Sequence, residues 1–138
     1  MKALIAGVLS GLLLSTALAS AEVSIRKEKV QFKAGETGAT VKGKIKGDEI
    51  VDYILNAKAG QSMVVILEAS NTSAYFNLTP PGSDTALFVG STSGNRYEGT
   101  LPANGDYTVR VYLMRNAARR GETATYTINF GVSGVPAK

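Results

Sequence analysis

Gly105-Asp106-Tyr107-Thr108-Val109-Arg110-Val111-Tyr112-Leu113-Met114 decides the fold. In an extended chain Tyr107, Val109, Val111 and Leu113 fall on one side and Thr108, Arg110 and Tyr112 on the other, the alternation of a strand with one buried and one wet face. Downstream, Tyr126, Ile128, Phe130 and Val132 alternate with Thr127 and Asn129. Upstream, Val51, Tyr53 and Leu55 repeat the period, and Ala39 to Lys46 places Ala39, Val41, Gly43 and Ile45 opposite Thr40, Lys42, Lys44 and Lys46. Met63-Val64-Val65-Ile66-Leu67 is continuously apolar, which predicts a central strand covered on both faces. A period of 3.6 residues is missing after residue 21, so no helix is expected there. Turn signals such as Gly47-Asp48, Ala59-Gly60-Gln61, Pro80-Pro81-Gly82, Ser93-Gly94-Asn95 and Asn104-Gly105-Asp106 separate the runs. About eight short strands with these turns predict an all-β, antiparallel β-sandwich of jelly-roll-like type, with a small closed barrel as the alternative.

The first 21 residues follow a different rule. Lys2 precedes an apolar run from Ala3 to Leu14, and small residues continue through Ala17-Leu18-Ala19-Ser20-Ala21. The run is shorter than the roughly 20 residues of a spanning helix and reads as a secretory signal peptide cleaved after Ala21. Taking 21 residues from 138 leaves 117, residues 22 to 138, expected to form a single domain with 14 basic and 11 acidic side chains. No Cys follows the cleavage site to carry a lipid, so no membrane insertion of the mature protein is expected.

Composition excludes much chemistry. With no Cys, His or Trp, the chain has no thiol nucleophile, no imidazole acid or base, no Ser-His-Asp triad and no Cys/His zinc site. No metal and no small-molecule cofactor are expected, and catalysis is not. Asp48, Glu49 and Asp52 cluster as a pair of glycosidase carboxylates would, but their position in a turn and at a strand start reads as solvating acid. A net charge of +3 without aromatic interleaving argues against nucleic acid as a partner. Lys42, Lys44 and Lys46 read as protection of an open strand edge.

One segment departs from this even charge. Arg115-Asn116-Ala117-Ala118-Arg119-Arg120-Gly121-Glu122 carries three Arg in six residues, on a connection longer than a hairpin needs. Guanidinium offers a planar fork for carboxylates and is favoured at recognition sites; a solvated loop is the plainer reading. Exposed Tyr75, Tyr97 and Tyr112 would instead suit a carbohydrate- or peptidoglycan-binding module, and an open edge would suit a structural envelope protein.

The stretch Gly105 to Arg120, followed by Tyr126-Thr127-Ile128, resembles the C-terminal signature of the periplasmic inhibitors of g-type lysozyme, the PliG family. Val30-Gln31-Phe32-Lys33-Ala34-Gly35, Gly43-Lys44-Ile45-Lys46-Gly47, Asn56-Ala57-Lys58-Ala59-Gly60-Gln61 and Leu101-Pro102-Ala103-Asn104-Gly105 agree with it in the same order. Arg-Asn-x-Ala-Arg is the most specific part; the Gly-Gln turn and the Gly-Asp-Tyr strand are shared with pre-peptidase C-terminal β-sandwich domains. The resemblance implies a periplasmic β-sandwich that is not an enzyme and whose partner is a g-type lysozyme. Its inhibitory loop corresponds to Arg115, Asn116 and Arg119, and Arg120 is expected among the lysozyme-binding residues with them. Where the family often carries an aromatic after the Gly of the second turn, this chain has Asp48 and Glu49, which are expected to meet basic groups at the rim of the partner's cleft. Strand parity puts Gly47-Asp48-Glu49, Asn71-Thr72 and Ser91 to Asn95 at the arginine end, provided that Arg96 to Leu101 is a strand.

Overall fold

The computed structural model describes residues 24–137, and the expected signal peptide and its cleavage site lie outside them. Alternation becomes two sheets. The elements are β1 (Ile25–Lys29), β2 (Gly38–Lys46), β3 (Ile50–Ala57), β4 (Ser62–Ala69), β5 (Ala74–Thr79), β6 (Phe88–Val89), α1 (Gly90–Ser93), β7 (Arg96–Thr100), β8 (Gly105–Leu113), α2 (Arg115–Arg119) and β9 (Thr123–Ser133). One sheet has the order β1-β3-β8-β5-β6 and the other β2-β9-β4-β7. All pairings are antiparallel except that of β1 with β3.

Only the β5–β6 hairpin stays within a sheet; every other connection crosses to the opposite one. The architecture is therefore a sandwich of two separate sheets and not a closed barrel. Because each crossing reverses direction, the connections fall at two ends. Lys46 pairs with Thr123, Val51 with Val111 and Ala74 with Leu113, so the β2–β3, β4–β5, β6–β7 and β8–β9 connections share one end. Arg96–Thr100 is the strand on which that parity depends, and the expected grouping of loops follows from it.

The inward residues of β8, Tyr107, Val109 and Val111, are fully buried, and they meet Val51, Tyr53 and Leu55 of β3 and Phe76 and Leu78 of β5 in one core. Tyr53 and Tyr126 join their hydroxyls across the sandwich at 2.7 Å. Burial, then this hydrogen bond, pushes the Tyr53 hydroxyl far above its ordinary pKa, and burial raises Tyr126. Both shifts favour the neutral hydroxyls, so the pair is uncharged at neutral pH. Gly43 makes it possible, because a Cβ there would overlap the Tyr126 hydroxyl.

Three expectations change. β4 is central, but only Met63, Val65 and Leu67 are buried, while Val64 and Ile66 are half-exposed on an outer face that no element covers. Among the described residues nine strands form against about eight expected, the two-residue β6 being too short to show a period. Two helices form where none was expected. At four and five residues, α1 and α2 are too short for a 3.6-residue repeat to show in the sequence.

Candidate functional site

The three-arginine segment is a helical turn, not an open loop. Ala118 donates its N–H to the Met114 carbonyl to close α2. The turn ends as its composition demands: Gly121 takes φ +69°, its N–H reaches the Ala118 carbonyl at 3.0 Å, and the Glu122 N–H reaches the Ala117 carbonyl at 3.1 Å. These two bonds make a Schellman cap, which wants glycine at the left-handed position. Ala117 is fully buried, so the turn is pinned to the core by its apolar side. Arg115 and Arg119, four apart, share the opposite exposed face. Among the described residues neither guanidinium has an ion-pair partner.

Arg120 differs. Its Nε lies 2.6 Å from Glu122 Oε2, and the Asn71 amide donates to Glu122 Oε1 at 2.9 Å. The Asn71 hydrogen bond first, then that from Arg120, holds the Glu122 carboxyl below its ordinary pKa. Arg120, expected among the lysozyme-binding residues, has its guanidinium engaged with Glu122 at the end of the turn. Asn71, which strand parity put at this end, is a bracing residue, a role the sequence did not indicate.

The second predicted patch is tied to the first through the backbone. Gly47 donates its N–H to the Glu122 carbonyl at 2.9 Å, so the β2–β3 turn hangs on the cap of α2. Asp48 and Glu49 are exposed there. Glu49 Oε1 accepts the Lys46 N–H at 2.9 Å and so closes its own turn, leaving Asp48 the freer carboxylate. An open groove of about 510 Å³ runs between this turn, Met114 and Arg115 on one side and Val89 and Ser91 on the other, over Tyr112 and Arg110. It brings together Asp48, Glu49 and Arg115; Asn116, Arg119 and Arg120 stand on the turn outside it.

Asp52, read as a surface acid beside Asp48 and Glu49, is instead 3% exposed. It faces Arg110 across β3 and β8, with Nε to Oδ1 at 2.8 Å and the second nitrogen to Oδ2 at 2.9 Å. That bond, more than burial, sets Arg110, whose pKa rises further. The only hint in the sequence is the opposite charge of two polar-face positions on neighbouring strands. Of the tyrosines, Tyr75 and Tyr112 are opposed on the same outer face, whereas Tyr97 turns inward against Phe88, ring centroids 5.4 Å apart, and so offers no platform to a sugar.

Fold and site define a β-sandwich with an ordered, cationic turn at one end of its strands. No protein-family model matches the chain. It is 32% identical over 128 residues to an inhibitor of g-type lysozyme from Escherichia coli strain K12, covering 91% of this chain and 92% of that one. Among solved structures it resembles Aeromonas hydrophila PliG, a periplasmic lysozyme inhibitor of g-type lysozyme, at 34% identity and a TM-score of 0.74 over 80% of this chain and 98% of that one. Salmonella Typhimurium PliG follows at 29% identity and a TM-score of 0.63, covering 78% and 98%. The chain belongs to the family of inhibitors of g-type lysozyme. It is a family of inhibitors and not of enzymes, as the sequence implied.

Proposed function

We propose that this protein is a periplasmic inhibitor of g-type lysozyme, and that it blocks the enzyme's cleft with the α2 turn. The observation that carries the reading is the pair Arg115 and Arg119: two guanidiniums on one face of a capped turn, anchored by buried Ala117, with no acidic partner among the described residues. The periplasmic assignment rests on the descriptions of the relatives and on the signal-like N-terminus. A lysozyme cleft contains at least one catalytic carboxylic acid, which gives a guanidinium a charged partner. Because the turn is already ordered, little conformational entropy is lost on insertion. Asn116 beside the arginines and Asp48 on the neighbouring turn complete a bipolar surface, cationic where it enters the cleft and acidic where it meets a basic rim.

Titrating peptidoglycan lysis by a g-type lysozyme with the purified secreted protein tests this. Saturable inhibition is expected, and an Arg115→Ala, Arg119→Ala double variant with unchanged thermal unfolding should weaken it at least 100-fold, since each buried anchor contributes about 2 kcal/mol. Absence of inhibition at micromolar protein would sink the reading in favour of a glycan-binding module using Tyr75 and Tyr112. Inhibition that survives the double substitution would remove the turn from the mechanism.

A further inference from the structure

A second cationic surface is left over by this function. Between Arg26 and Lys46 stand seven cations, Arg26, Lys27, Lys29, Lys33, Lys42, Lys44 and Lys46, against only Glu28 and Glu36, a net charge of +5. Residues 24–137 hold 13 cations and 10 acids, a net +3, so everything outside this segment sums to −2. The asymmetry is spatial as well. β1 is the edge of one sheet and β2 the edge of the other. Tyr53 of β3 stands against Tyr126 and Phe130 of β9, which puts the two edges on the same flank, where Lys29 and Lys33 adjoin the start of β2 around a shared cleft.

All six lysines are exposed, and among the described residues none has an ion-pair partner. Glu28 is occupied by Arg26 at 3.2 Å. Lys42, Lys44 and Lys46 repeat along one face of β2 about 7 Å apart, by strand geometry.

We propose that this flank is a docking surface for the anionic phospholipid headgroups of a membrane. Three observations choose that occupant. The cations are lysines almost throughout, flexible point charges suited to a diffuse array of phosphates, where the arginines of α2 are suited to a fixed carboxylate. Phe32, the one aromatic in the segment, is half-buried against the core, so the flank has no platform on which a sugar ring or a base could stack. Ile25, at the start of β1, is 46% exposed, an apolar side chain placed beside the charges to enter an interfacial layer. Clusters of four to eight basic residues bind anionic bilayers in this way. The flank runs along the strands, and only its Lys46 and Ile25 end adjoins the Gly47–Glu49 turn; the inference stands independently of the inhibitor reading.

Co-sedimentation of the purified secreted protein with vesicles tests it. Binding is expected to phosphatidylglycerol-containing vesicles at low salt, to be absent with phosphatidylcholine alone, and to be lost in about 0.5 M salt, where screening is nearly complete. Each lysine should contribute roughly fivefold, so a Lys29→Gln, Lys42→Gln, Lys44→Gln variant should bind about 100-fold more weakly, Arg96→Gln on β7, the opposite edge of the β2 sheet, should bind normally, and lysozyme inhibition should not change. Equal binding of the triple variant would overturn the proposal. So would equal binding to neutral vesicles, capture by peptidoglycan sacculi but not by vesicles, or self-association of the triple variant with no change in vesicle binding, which would reduce the lysines to edge protection.

Discussion

The α2 turn and the β1–β2 flank are both cationic, and they are built in opposite ways. On α2 the charge sits on two arginines held by a glycine-capped turn over a buried alanine; on the flank it sits on five lysines along two strands that bond to neighbours on one side only, and on Lys33 between them. Rigid backbone with planar forks makes a surface that can match one arrangement of acids. Long flexible stems on an edge make one that responds to charge density and little else. Arg110 supplies the contrast within a single strand, for its guanidinium is bound to Asp52 and serves the fold.

The sharpest way to break the comparison is to unpair that third arginine. Arg110→Met strands a carboxylate that is 4% exposed, and removing one partner of such a pair should cost about 2–3 kcal/mol, less than a fully buried pair because Arg110 itself reaches water. Chemical denaturation should show the loss at an unchanged slope, while inhibition by the folded fraction stays as it was. A loss of inhibition out of proportion to stability would mean that Arg110, which lines the groove, touches the partner.

Exchanging residue type at constant charge is the next test. Arg115→Lys with Arg119→Lys should weaken inhibition about 10-fold, because the bidentate geometry is lost while the charge remains. Lys42→Arg with Lys44→Arg should leave vesicle binding within about twofold, charge being all that counts there. Equal responses from the two surfaces would erase the distinction between them.

The smallest effect concerns the brace behind α2. Glu122, hydrogen-bonded by Asn71 and Arg120, has a carboxyl pKa below its ordinary 4.5. A depressed folded pKa stabilises fully above the ordinary value and is lost as the pH falls through the folded one. Melting curves should therefore show Glu122→Gln slightly less stable than the parent at neutral pH, with the gap closing as the pH drops below 4.5. A gap that persists in acid would show that the brace acts through shape and not through charge.

How much of this was legible beforehand depends on the range of the interaction. Period-two alternation named the inward residues of β3, β8 and β9 correctly, because side-chain direction along a strand is a local property. The end at which the loops gather followed from parity once Arg96–Thr100 was taken as a strand. The α2 turn escaped, since five residues cannot display a helical period; its readable sign was the pair of alanines between arginines with Gly121 behind them. Asp52 was misplaced because its partner lies 58 residues away, and only the register of β3 on β8 brings the two together.

By itself the sequence determined the strand character, the buried face of most strands, the lack of His and Cys chemistry, and the concentration of arginine between Arg115 and Arg120. Each depends on residue type and on neighbours a few positions off. Tertiary structure alone decided which cations keep their charge available: Arg110 is bound by Asp52 and Arg120 by Glu122, while Arg115 and Arg119 have no such acid among the described residues. The physical reason is that an ion pair is a matter of distance in space, and sheet pairing sets those distances between segments the chain keeps far apart.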